Sequence, residues 1–145
     1  MPYEIRATTV DELLATGQEL FAANWDESGS SQRFRLRDDD YRAWAAAGIM
    51  CCVGAWHGTE LVGYSVAIVS PRPHTGEMVG CSDALYVSPP HRGRLHEDLI
   101  LATEIGASNI GATRFAWGAR PGSALDLILR HRDYELREHI YEREV

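Results

Sequence analysis

The amino-acid sequence predicts an α/β (α+β) chain with the element order β-α-α-β-β-β-α-β-α-β, and three stretches carry that prediction. Ile49 to Trp56 and Leu61 to Ser70 are apolar, β-rich runs joined by His57-Gly58-Thr59-Glu60, a hairpin signal. Thr9 to Glu12 reads T-x-x-E, a capping box that opens a helix ahead of Leu13, Leu14, Leu20 and Phe21. Asp83 to Ile100, DALYVSPPHRGRLHEDLI, reads as a strand, a Ser-Pro-Pro break, a compact Arg/Gly turn and a helix.

The remaining elements follow in order. Tyr3 to Thr8 alternates as a first strand, and the helix capped by Thr9 fades at Asn24 and Trp25. Residues 26 to 37, DESGSSQRFRLR, are the most loop-like stretch. A second helix, Asp38 to Ala47, has acids at its positive end and stops at Gly48. Beyond the hairpin, Pro71 to Gly76 is a loop and Met78 to Val87 a third strand of the central sheet. Arg94 to Ile110 is a helix with Leu95, Leu99 and Ala102 on one stripe. Arg114 to Ala119 is a strand, Ser123 to Arg130 a helix, and Tyr134 to Val145 a closing strand. That last strand is free to pair within the chain or with another copy, so a homodimer is one expectation. Repeats and linkers are absent, and residues 1–145 read as one domain long enough to bury a sizeable core.

With 45% hydrophobic and 24% charged residues, the composition is that of a globular protein. Apolar runs such as LVGYSVAIV are too short to cross a bilayer, and MPYEIRATTV lacks the apolar core of a signal peptide. No membrane association and a cytoplasmic location are therefore expected. Cys51, Cys52 and Cys81 fit no metal-ligand spacing, and neighbouring Cys51 and Cys52 should point to opposite faces of a strand. They read as buried, reduced thiols. The net charge of −7 argues against nucleic acid as a partner and favours a cationic acceptor such as a polyamine, an aminoglycoside or a basic protein tail.

Within DALYVSPPHRGRLHEDLI, a strand end, an arginine-bearing turn and a helix start converge. Free backbone N–H groups and the positive end of the helix dipole meet the charges of Arg92 and Arg94. This is an anion site, and a phosphorylated cofactor is the first expectation.

The run LYVSPPHRGRLHEDLI, residues 85–100, resembles the signature of the GNAT superfamily of acyl-CoA-dependent N-acetyltransferases. There a hydrophobic strand passes through V-x-P into an Arg/Gln-x-x-Gly-x-Gly/Ala turn. The ordered set PRPHTGE (71–77), HRGR (91–94), ARPGSALD (119–126) and DYEL (133–136) also resembles small GNAT-like proteins of tailed bacteriophages. The resemblance spans residues 49–145, and the N-terminal third matches by element order. It implies a mixed, mostly antiparallel central sheet flanked by helices, acetyl-CoA as cofactor, and an amine acceptor on a small molecule or a protein. Carried across, Leu85, Tyr86 and Val87 would offer backbone groups to the pantetheine arm. Arg92, Gly93, Arg94, Leu95 and His96 would surround the phosphates. Leu95 and Glu97 stand where the family pattern has small residues, unless the turn carries a one-residue deletion. Glu97 would repel a diphosphate by roughly 0.7 to 3 kcal/mol per charge pair at about 6 Å, so binding requires it to point away.

For proton transfer, Asp83 is the preferred base. It lies two and four residues before Leu85 and Val87, hence on their face of a regular strand, and a carboxylate in an apolar run must be paired or solvated by a cleft. The other reading is a strand-end acid capping a neighbour. Glu77 is the second choice. His74, in PRPHTGE, is a base or acceptor contact, histidine being the side chain that titrates nearest neutrality, or else an ordinary loop residue. Many GNAT enzymes carry Asn-x-x-Ala-x-x-Leu-Tyr in the penultimate helix. Here that register places Gly122 at the Asn and Leu129 at the Tyr, so Tyr134, Tyr86 or solvent would have to serve as the acid. Tyr134 is otherwise a core aromatic. Trp25 and Trp44 are either core residues or an aromatic wall for an amine.

Three functions compete on this reading: an acyl-CoA-dependent N-acyltransferase, a GNAT-fold protein that binds without catalysing, and a modifier of nucleotides or DNA bases, which the acidic charge disfavours. All fourteen basic residues are arginine. An acetyltransferase without lysine cannot acetylate its own side-chain amines, but a GC-rich genome explains the same bias.

Overall fold

A computed structural model describes residues 2–145. Its elements are β1 (Tyr3–Ala7), α1 (Val10–Thr16), α2 (Gln18–Glu27), α3 (Asp38–Ala46), β2 (Met50–His57), β3 (Glu60–Pro71), β4 (Met78–Val87), α4 (Arg94–Asn109), β5 (Arg114–Ala116) and α5 (Ala124–Arg130). The strands lie in the order β1-β2-β3-β4-β5, antiparallel from β1 to β4, with β5 parallel to β4.

The unbroken apolar runs of β2 and β3 are explained by helices on both faces. Period-2 alternation sends Cys52, Trp56, Tyr64, Val66 and Tyr86 to one face, against Leu13 and Leu14 of α1, Phe21 of α2 and Tyr41 of α3. Cys51, Val53, Ala55, Ala67 and Val87 occupy the other, under Leu95 and Leu99 of α4. Leu13 and Leu99 are completely buried, each worth about 1.5–3 kcal/mol. Cys51 and Cys52 thus face opposite layers as expected, both buried and free. Cys81 departs from the expectation: it is free but exposed on β4.

Thr9 caps α1, its Oγ1 accepting from the Glu12 N–H at 3.1 Å. Glu12 turns instead to the Arg6 guanidinium, at 2.8 Å, and accepts from the Thr8 hydroxyl. Those partners hold its carboxyl down at about 2. The long first helix of the sequence reading is two helices broken at Gly17, where a Cβ would lie 2.7 Å from both the Leu13 carbonyl oxygen and the Phe21 ring. The chain turns there so that Phe21 can reach the core.

Two further expectations need correction. β5 ends at Ala116, three residues early, because the Gly118 N–H bonds to Ser82 Oγ rather than to a strand. Tyr134 to Val145 forms no strand. Leu136, Ile140, Tyr141 and Val145 are largely exposed. Either face of that segment mixes apolar and charged residues, so no buried face fixes a register. Among the described residues no helix is long and apolar enough to cross a membrane.

Candidate active site

The fold leaves half of β4 uncovered on one side. β5 pairs with Val79, Gly80 and Cys81, and Ser82 takes the next amide of the departing chain. Beyond that point, among the described residues, no strand pairs with the outer edge of Ser82–Val87. The edge contains Leu85, Tyr86 and Val87, and it runs into a 3-10 turn at Pro89–His91 and the start of α4. A parallel pair that separates in this way exposes backbone donors and acceptors to whatever enters the gap.

The Arg/Gly turn is anchored on both sides. His91 Nδ1 lies 3.0 Å from the Tyr3 hydroxyl, and its ring is 5.3 Å from that of His57, which ties the turn to β1 and β2. Arg92 Nε donates to the Val87 carbonyl at 2.8 Å, a terminal nitrogen pairs with Glu27 at the end of α2, and the guanidinium lies 5.4 Å from the Tyr86 ring. The hydrogen bond from Arg92 holds the Glu27 carboxyl below the usual range. Arg120 donates to the Glu27 carbonyl at 3.0 Å. Gly93 has φ of 133°, open to glycine but strained for other residues, and nothing lies within 4 Å of where its Cβ would be. Arg94 is exposed, 3.8 Å from Asp98. Leu95 points away from the turn into the α4 core, so it does not fill the space over the turn. His96 is half-buried, its imidazole pushed down by burial and then by nearby Arg92. Glu97 is paired with Arg132, in the segment after α5.

Asp83 sits on the same exposed strand but not on the expected face. Across the β3–β4 ladder Val66 pairs with Ala84 and Ala67 with Ser82, so Asp83 is a bulged residue with no partner. The extra residue breaks the alternation. Asp83 joins Ala84 and Tyr86 on the α1–α3 face, while Leu85 and Val87 pack towards α4. Its Oδ2 accepts a hydrogen bond from the hydroxyl of Tyr41, the buried residue of α3. Burial, then that bond to the carboxylate, raises the Tyr41 phenol well above the usual range. The Trp44 ring lies 5.8 Å from that of Tyr41, and Tyr64, raised to about 12 chiefly by burial, takes a bond from Asn24.

The other candidates are not gathered here. His74 is exposed in the β3–β4 loop, at the end of β4 opposite the Arg/Gly turn, roughly 30 Å along the strand. Glu77 is held by Arg114 at 3.2 Å and joins the starts of β4 and β5. Tyr134 donates to Glu104 on α4, at 2.6 and 2.8 Å to the two oxygens, and Trp117 donates to the same carboxylate. Burial and Glu104 push the Tyr134 phenol up. Trp25 bonds to the Gln32 carbonyl. Tyr41, Glu27 and Arg132 were invisible as site residues in the sequence, because each acts through a partner thirty or more positions away.

A phosphorylated acyl carrier fits the edge. The turn is open over Gly93, Arg94 is free to swing, the helix start supplies its first amides, and Glu97 is neutralised by Arg132.

No protein-family model matches the sequence, and no curated protein matches it either. Solved structures do. A ribosomal-protein-alanine N-acetyltransferase from Brucella melitensis biovar Abortus 2308 superposes with a TM-score of 0.70 at 17% identity, over 100% of this chain and 99% of that one. AAC(6')-Iy, in complex with the bisubstrate analogue CoA-S-monomethyl-acetylneamine, gives 0.78 at 16% identity over 100% and 99%. An aminoglycoside acetyltransferase, HMB0005, from an uncultured soil metagenomic sample gives 0.74 at 16% identity over 100% and 98%. The chain has the GNAT fold. The GNAT fold accounts for the mostly antiparallel sheet and the helices on both of its faces. At these identities the likeness concerns architecture, and any chemistry rests on the residues described above.

Proposed function

We propose that the protein is an acyl-CoA-dependent N-acyltransferase that moves an acetyl group to an amine of a small molecule or protein. One observation carries the reading: the outer edge of β4 lies open from Ser82 to Val87 and leads directly into an anion-compatible turn and helix start. Leu85, Tyr86 and Val87 would hold the pantetheine arm by their backbone groups. Gly93, Arg94 and the first amides of α4 would hold the phosphates, with Arg92 joining once it leaves Glu27. Acetyl-CoA, when bound, supplies an activated acyl thioester. Asp83, roughly 13 Å along the strand from Val87, accepts a proton from the acceptor's ammonium group or the attacking amine. Tyr134 is committed to Glu104 and Tyr86 is buried, so the proton for the leaving thiolate comes from solvent, an adequate source for a group of that acidity.

The net charge of −7 favours a cationic acceptor, and a cytoplasmic setting would supply acetyl-CoA. The phage-like loop PRPHTGE and a homodimer belong to the same proposal. A second reading, a GNAT-fold protein that binds without catalysing, is favoured by Arg92 and Tyr134 both being engaged by protein carboxylates.

Thermal unfolding with acetyl-CoA, CoA and ATP tests the cofactor site. At about 100-fold its Kd, acetyl-CoA adds roughly 2.7 kcal/mol, a shift of roughly 5 to 10 °C. No shift at millimolar acetyl-CoA rejects the site, and turnover with candidate amines then separates the enzyme from the binding protein.

A further inference from the structure

We infer that Tyr41 is the positioning residue for Asp83, fixing which carboxylate oxygen faces the acceptor amine. The inference rests on the assignment of Asp83 as the base. A bulged residue lacks the cross-strand neighbour that ordinarily limits its side chain, and Asp83 has no β3 partner and is exposed. Left alone, its carboxylate would sample several rotamers along the open edge. Tyr41 removes that freedom.

The Tyr41 ring is 8% exposed, wedged among α1, α2 and the sheet and flanked by Trp44, so its hydroxyl is held in place by packing. A protonated phenol has one hydrogen to give, and it goes to Asp83 Oδ2. Oδ1 remains for the acceptor. The proton then passes from the acceptor's nitrogen to Oδ1, and the nitrogen lone pair forms the new C–N bond to the acyl carbon. The acyl C–S bond breaks with its electron pair leaving on the thiolate, which solvent protonates, and Tyr41 keeps its own proton throughout. Since Tyr41 belongs to α3, the helix that covers this face also sets the geometry of the base.

The experiment is a double-mutant cycle read by steady-state kinetics. Tyr41→Phe, Asp83→Asn and the double variant are assayed with acetyl-CoA and whichever of spermidine, kanamycin or a lysine-rich peptide turns over fastest. Tyr41→Phe should lower kcat about tenfold, the worth of one hydrogen bond to a charged group, with the KM for acetyl-CoA unchanged. Added to Asp83→Asn it should cost nothing more. Tyr41→His retains a ring and a donor and should recover part of kcat. It also keeps the test open if the Phe variant folds poorly. Undiminished turnover in Tyr41→Phe, an additive loss in the double variant, or failure of Tyr41→His to recover kcat overturns the positioning role alone. Full turnover in Asp83→Asn overturns the base and Tyr41 with it. Absence of turnover in the unmodified protein with every amine overturns the transferase reading itself.

Discussion

Arg132, in the segment that follows α5, forms an ion pair with Glu97 in the first turn of α4. The pair removes the charge that most opposes an anion at this helix start. It is about half exposed on both sides, so its direct stabilisation is small. Its effect on a bound diphosphate is larger, because releasing Glu97 restores a repulsion that two arginines must offset. We expect Arg132→Gln to weaken acetyl-CoA binding roughly three- to tenfold, and Glu97→Gln to leave it equal or tighter. The double variant should bind like Glu97→Gln. Isothermal titration of the three variants measures this, and equal loss in Arg132→Gln and the double variant would show that Arg132 contacts the ligand itself.

Asp83→Asn should reduce kcat by at least about a hundredfold while sparing the acetyl-CoA thermal shift. The separation arises because Asp83 faces α3, whereas the Arg/Gly turn lies beyond Val87. Unchanged turnover would rule out its role as base.

Stability should fall on both sides of neutrality, for different groups. The His96 imidazole is lowered below 6.5, chiefly by burial, so the unfolded chain binds its proton first and acidification through about 6.5 begins to destabilise. Glu12, Glu27 and Asp126 are all lowered, by hydrogen bonds from Arg6, Arg92 and the Gly122 N–H respectively. Their contribution is present above the unfolded value near 4.5 or below and is lost as pH falls further. Tyr41, Tyr64 and Tyr134 are raised, mainly by burial, so unfolding releases protons more readily above about 10 and stability declines there. Urea midpoints from pH 3 to 11 should therefore trace a plateau from about 7 to 9. His96→Gln should flatten the first acidic step without moving the one below 4.5.

The C-terminal segment divides at Tyr134. Deletion of residues 135–145 should leave the melting temperature within roughly 2 °C, since their large apolar side chains are exposed. Tyr134→Phe should cost about 1 to 2 kcal/mol by leaving Glu104 short of a donor. Sedimentation of the truncated and full chains adds a second readout. A dimer that becomes a monomer on truncation would place residues 135–145 against another copy.

Several features were written in the sequence because their causes are local. Unbroken apolar runs with a Gly-Thr turn specify β2 and β3, Thr9 specifies the start of α1, and V-S-P-P-H-R-G-R specifies a strand that must stop, turn and enter a helix. The GNAT-like order and the anion turn follow from those elements. What the sequence missed depended on partners far along the chain. Period 2 placed Asp83 with Leu85 and Val87, but a bulge reversed its face and delivered it to Tyr41, forty-two residues away. Leu95 and Glu97 looked hostile to a phosphate until the fold buried one in the core and paired the other with Arg132. The closing strand failed for the converse reason. Its β-like residues are present, yet a register is fixed only where one face is buried, and the tertiary structure offers Tyr134 to Val145 no such face.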